Sequence, residues 1–145
     1  MMVLIAAWPL ASLAQTSMAK RPPLSAVQLE KLVKIVETKG KNAALSGDVS
    51  RALKLTDGTP AQIREVNTID ARTGKRYTFG LVVGRGRFLA TKSDGSSPRL
   101  FVLDEQLKLV VGMKTGIGFE PMNPPEAEAD VRDTLEQFSQ FIELN

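Results

Sequence analysis

Arg76-Tyr-Thr-Phe-Gly-Leu-Val-Val-Gly-Arg-Gly-Arg-Phe-Leu-Ala-Thr91 decides the fold. Tyr77, Phe79, Leu81 and Val83 recur at every second position, the period of a strand rather than of a helix. Gly84-Arg85-Gly86 is a tight turn, and Arg87 to Thr91 resumes the strand pattern. So short a turn joins antiparallel neighbours, because parallel strands need a long crossover.

Working outward, Arg72-Thr73-Gly74-Lys75 is a hairpin signal that brings in a strand from about Gln62. Downstream, Ser93-Asp94-Gly95-Ser96 turns the chain into Arg99–Leu103, and Asp104-Glu105-Gln106 turns it into Leu107–Met113. The expectation is an antiparallel β-meander of four or five strands, followed by an irregular stretch from Gly116 to Pro125.

Helices flank this meander. Ser25-Ala-Val-Gln28 has the form of a capping box, and Leu29, Leu32, Val33 and Val36 then mark one helical face as far as Gly40. A shorter helix is expected from about Asp48 to Lys54. Asn123-Pro124-Pro125-Glu126 offers an N-cap, a proline at N1 and a glutamate at N3. Ala127, Val131, Leu135, Phe138 and Ile142 form the apolar stripe of the helix it opens. The fold class is therefore α+β: N-terminal helices, a meander, and a C-terminal amphipathic helix packed on the sheet.

Met1–Ala14 is uncharged and apolar, with small residues at Ser12 and Ala14, and reads as an export signal peptide. It is too short for a membrane span, which takes roughly 20 apolar residues. Export would make the protein periplasmic or secreted; a true start at Met18 would leave it cytoplasmic. Residues 15–24 read as a proline-stiffened linker, and 25–145 as one domain. With no cysteine in the chain, no disulfide or lipid anchor is available, and the domain must rest on its apolar core.

Alternation separates two sheet faces. Tyr77, Phe79, Leu81, Val83, Phe88, Ala90, Leu100, Val102, Leu107, Leu109, Val111 and Met113 are assigned to the face under the C-terminal helix. Arg76, Thr78, Gly80, Val82, Arg87, Leu89, Thr91, Arg99, Phe101, Leu103, Lys108 and Val110 fall on the other. This second face mixes bases with apolar side chains. Either the first helix covers it or it stays open as a contact surface. Charge is uneven too: residues 15–99 hold 16 Lys and Arg against 7 Asp and Glu, residues 100–145 hold 3 against 9. The acidic last helix can neutralise the basic hairpins, or the hairpins can serve as an anion-binding surface.

Catalytic chemistry is narrowed by what is missing. Without His or Cys, the Ser–His and Cys–His nucleophile systems and the usual transition-metal ligands are out of reach. Glu128, Asp130, Asp133 and Glu136 fit the wet side of the last helix rather than a catalytic pair. Gly80-Leu-Val-Val-Gly84-Arg-Gly86 and Gly112-Met-Lys-Thr-Gly116-Ile-Gly118 share a spacing, but neither ends in the Lys-Ser/Thr of a phosphate loop. Basic residues among aromatics raise nucleic-acid binding, yet the aromatics fall on the core face. No metal and no cofactor is expected.

The leading expectation is thus a non-enzymatic binding or accessory domain that recognises another macromolecule, a protein partner or a second copy. Arg76, Arg87, Arg99, Phe101 and Leu103 are its candidate contact residues. The alternative is a binder of anionic ligands or polyanions, envelope material included, through Arg85, Arg87 and Lys92. A carboxylate or Ser–Lys hydrolase is the third reading.

Overall fold

The computed structural model describes residues 24–45, 47–52, 61–94, 98–115 and 118–145. The export-signal reading, nearly all of the linker, and Leu53 and Lys54 of the short helix lie outside the described residues. The elements are α1 (Ala26–Lys39), β1 (Lys41–Ala44), α2 (Gly47–Ala52), β2 (Gln62–Ile69), β3 (Arg76–Val82), β4 (Arg87–Ser93), β5 (Arg99–Leu103), β6 (Leu109–Thr115), β7 (Phe119–Pro121) and α3 (Pro124–Leu144). The class is α+β, as the turns predict. The strands form one antiparallel sheet in sequence order, β1 to β7. Seven strands exceed the four or five expected: short β1 and β7 are added at the edges, where Asn42 and Glu120 give no apolar alternation.

The capping box forms as predicted: Gln28 N–H donates to Ser25 Oγ at 3.1 Å, and Ser25 N–H to Gln28 Oε1 at 2.9 Å. Gln28 also donates through Nε2 to Ser139 Oγ at 3.2 Å, tying α1 to α3. At the far end of α1, Val36 O accepts from Gly40 N–H and from Arg64 Nε of β2. Both otherwise orphaned groups of a helix end and an inward-reaching arginine are satisfied there. Asn123 caps α3 by position but makes no side-chain cap bond; Pro124 at N1 needs no partner for a missing N–H.

Both long helices lie on the same face of the sheet. Leu32 and Val36 of α1 and Val131, Leu135, Phe138 and Ile142 of α3 share one core with Val66, Tyr77, Phe79, Phe88, Ala90, Phe101 and Leu103. Phe79 stacks on Phe88 with ring centroids 5.2 Å apart and meets Phe138 at 5.9 Å. Leu24, read as the end of the linker, is buried in this core. Gly112 lets the first turn of α3 approach β6: a Cβ there would lie 2.8 Å from Ala127 Cβ and 3.2 Å from the Phe101 ring.

The opposite face is divided. Ile63, Val82, Leu89, Leu100, Val102 and Met113 form a second buried cluster, with Leu45 and Val49 packed against it. Asn67, Thr78, Thr91 and Arg76 occupy the remainder and are half-buried or exposed. The first helix does not cover this face, contrary to one expectation. Its apolar half is not an open surface either, since Val82, Leu89 and Val102 are almost wholly buried.

β5 carries its faces the other way round from the sequence reading, and β6 does so from Val111 onward, while Leu107 and Leu109 keep the expected side. Ala90 pairs with Phe101, and Phe88 with Leu103, so Phe101 and Leu103 lie beneath the helices while Leu100 and Val102 turn away. Leu100-Phe101-Val102-Leu103 is apolar at every position and has no alternation to fix its parity. In β6 the register shifts beside Val102 and Leu103, which places Leu109 on the helix side and Val111 with Met113 on the other. Leu107, at the turn before it, sits at φ 65°, a left-handed conformation uncommon for leucine.

Candidate functional site

The expected contact residues do not assemble. Phe101 and Leu103 are fully buried in the core. Arg99 shares their face, whereas Arg76 and Arg87 lie on the opposite one, Arg76 exposed and Arg87 half-buried. Arg85 is exposed in the β3–β4 turn.

Arg99 and Lys92 are engaged inside the molecule. Lys92 Nζ lies 2.9 Å from Asp130 Oδ1 and 2.9 Å from Asp133 Oδ2; Arg99 Nη1 lies 2.6 Å from Asp130 Oδ2. Tyr77 donates to Asp133 Oδ2 at 2.9 Å, and Thr134 donates to the Asp130 carbonyl. Burial alone would lower the Lys92 ammonium, but the bonds from Asp130 and Asp133 outweigh it and hold Lys92 above its ordinary value. Burial and the Asp133 carboxylate both push Tyr77 upward. Lys92 is thus engaged by two carboxylates of α3 rather than presented to solvent. The cluster fastens α3 to β3, β4 and β5. Asp130, expected on the wet side of α3, is in fact buried beneath it, so the acidic helix does neutralise part of the basic sheet.

A different surface gathers four exposed lysines. Gln28 at the start of α1 bonds to Ser139 of α3, and further along Ile35 and Ile142 border a common groove. The C-terminal ends of the two helices meet above β2. Between them runs a groove of about 400 Å³ lined by Lys31, Lys34, Ile35, Thr38, Lys39, Ile142 and Asn145. It continues into a recess of about 230 Å³ bordered by Lys41, Glu65, Val66, Asn67 and Phe141.

Lys31, Lys34, Lys39 and Lys41 are all exposed, and none has a carboxylate within ion-pair distance among the described residues. Two converging helix ends supply roughly half a negative charge each. With Glu65, that offsets about two of the four ammonium charges that line the groove, and Glu30 and Glu37 stand beside Lys34 at i−4 and i+3 on the outer side of α1; the lysines themselves border an apolar floor. The Thr38 hydroxyl is already engaged, donating to Lys34 O at 2.8 Å. A further groove, of about 380 Å³, lies between Leu107–Leu109 and α3. There Lys108 and Arg132 face Glu128, so its charges are mixed.

The chain matches no protein-family model, no curated protein and no solved structure. Its own geometry must carry the functional reading. Among the described residues no group of three acidic side chains is placed to hold a metal ion, and no helix is long and apolar enough to cross a membrane.

The lysine groove was legible in part. Lys31, Lys34, Ile35 and Thr38 follow i, i+3, i+4, i+7, a second stripe beside the core stripe of Leu29, Leu32 and Val36. What the spacing cannot convey is that the end of α3 lies alongside.

Proposed function

We infer that the protein is a small binding domain whose recognition surface is the lysine-lined groove between the ends of α1 and α3. One observation carries this reading: four lysines with no ion-pair partner among the described residues border an apolar floor of Ile35, Phe141, Ile142 and Val66. The groove is open, which suits a macromolecular partner better than a small ligand that must be almost wholly enclosed. The partner is acidic, with an apolar portion to fill the floor. This keeps the expectation of a non-enzymatic recognition domain and moves its contact residues from the sheet to the helix ends. Export guided by Met1–Ala14 belongs to the same proposal, and fractionation of cells expressing the full chain tests it.

The test of the groove is charge reversal. Lys31→Glu, Lys34→Glu and Lys39→Glu together leave every core contact in place. Against an acidic partner they should weaken binding at least tenfold, and added salt should weaken the unaltered protein in the same direction. Binding that ignores both the reversal and the salt removes this site.

A further inference from the structure

The edge of the sheet beside this groove has a notch one strand deep. β2 runs from Gln62 to Ile69, but β1 covers it only as far as Glu65, because the chain turns into β1 from α1 at Gly40. Register shows which backbone groups face the gap. Asp70 N–H donates to Lys75 O and Val83 N–H to Gln62 O, so the even-numbered residues of β2 bond to β3. The odd-numbered residues present N–H and C=O to the other side. Ile63 and Glu65 meet Ala43 and Lys41 of β1 there. Among the described residues, Asn67 and Ile69 meet no strand on that side.

We propose that an extended acidic segment of a partner protein adds to the sheet in this notch, pairing its backbone with Asn67 and Ile69. The proposal rests on the groove reading above and specifies how that site recognises its partner. Strand addition uses main-chain hydrogen bonds for affinity and alternate side chains for selection. The surroundings supply the selection. Cations flank the notch at both ends, Lys39 and Lys41 where β1 stops, Lys75 and Arg76 at the β2–β3 hairpin. Glu65 and Asp70 are the nearby carboxylates, and Asp70 is already engaged with the Arg72 backbone N–H. Alternate side chains of an added strand meet Val66 and Phe141 on one face and Ile69, 56% exposed, on the other.

The opposite edge is built differently. Met122 N–H donates to Gly112 O, which makes Phe119 and Pro121 the outward-facing residues of β7. Pro121 has no N–H to offer, a common way of blunting an edge. The outer edge of β1 does expose Asn42 and Ala44, but apart from Lys41 no residue of β1 borders the groove.

The experiment is selection from a random decapeptide library on the full chain, followed by affinity measurement on the synthesised winners. Enriched sequences should carry Asp or Glu with apolar residues at alternate positions. Ile69→Pro removes an N–H that β3 does not use, so the fold should survive, and affinity should fall at least tenfold. Ala44→Pro should leave affinity unchanged. N-methylation of every second peptide amide should abolish binding in one phase and spare it in the other, a readout that holds even where the proline variant fails to fold. Helical spacing in the winners, basic winners, no enrichment, or sensitivity to Ala44→Pro instead of Ile69→Pro overturns strand addition. Winners that lose affinity on lysine reversal but tolerate Ile69→Pro and both N-methyl phases leave the groove standing without it. Indifference to lysine reversal removes the groove itself.

Discussion

Lys92 Nζ and Asp130 Oδ1 stand 2.9 Å apart beneath α3, with side chains only 13% and 9% exposed. The same carboxylate also holds Arg99. A buried carboxylate bridging two cations stabilises only while all three charges are present, since removal of one strands the others.

Asp130→Asn keeps the shape and removes the charge. Lys92 then retains Asp133, and Arg99 retains Glu126 at 3.9 Å and the more distant charge of Asp94. The expected cost is about 3 kcal/mol, the low end for a broken buried pair, because Lys92 keeps Asp133 and Arg99 is partly exposed. Urea unfolding monitored by circular dichroism reads it; a change under half a kilocalorie would show that water replaces the network.

The same cluster sets an alkaline limit. Lys92 is held above its ordinary value, so its contribution is complete below about pH 10.4 and is lost as pH rises through the folded value. Tyr77 is also raised, by burial and then by Asp133. The unfolded chain therefore gives up the tyrosine proton first, near pH 10, and stability falls with rising pH over the same window. Urea midpoints from pH 8 to 11 should decline, and Tyr77→Phe should decline less steeply. Equal slopes would place the alkaline loss elsewhere.

Gly112→Ala places a methyl group against Ala127 and the Phe101 ring. Neither neighbour is a flexible side-chain end, so α3 must lift from β6. Overpacking of this kind costs about 1–3 kcal/mol. A thermal midpoint matching the unaltered protein would mean that the helix start yields without cost.

Phe101→Ala tests the corrected face of β5. A surface phenylalanine would tolerate the change; one buried under α3 should cost about 3–5 kcal/mol. Leu100→Ala, on the opposite face in the second cluster, should also destabilise, because both faces of this strand are covered.

Gln28→Ala removes half of the capping box and the bond to Ser139 in one step. About 1–2 kcal/mol should be lost, at the partly exposed end of the α1–α3 contact. Ser139→Ala alone should lose less, because the capping box stays intact; the reverse order would assign the stability to the inter-helix bond.

Local chemistry settled much of this molecule from sequence. Ser25 and Gln28 close the capping box on each other, Gly74, Gly84 and Gly86 adopt the positive φ their turns require, and Tyr77 and Phe79 recur at every second position. Those patterns fixed both long helices, the meander and its class, because each depends on residues a few positions apart. The face taken by Phe101 and Leu103 was not legible, since a strand apolar on both sides carries no parity and the ladder with Phe88 and Ala90 decides it. Nor could sequence show Asp130 turning inward: an acidic residue on a helix reads as solvent-facing until Lys92 and Arg99 are brought beneath it. The candidate site divides the same way. The lysine stripe of α1 is written in its spacing, but the groove exists only because α3 ends beside it and β1 stops short of Asn67. Both are relations between segments far apart in the chain, and only packing brings them together.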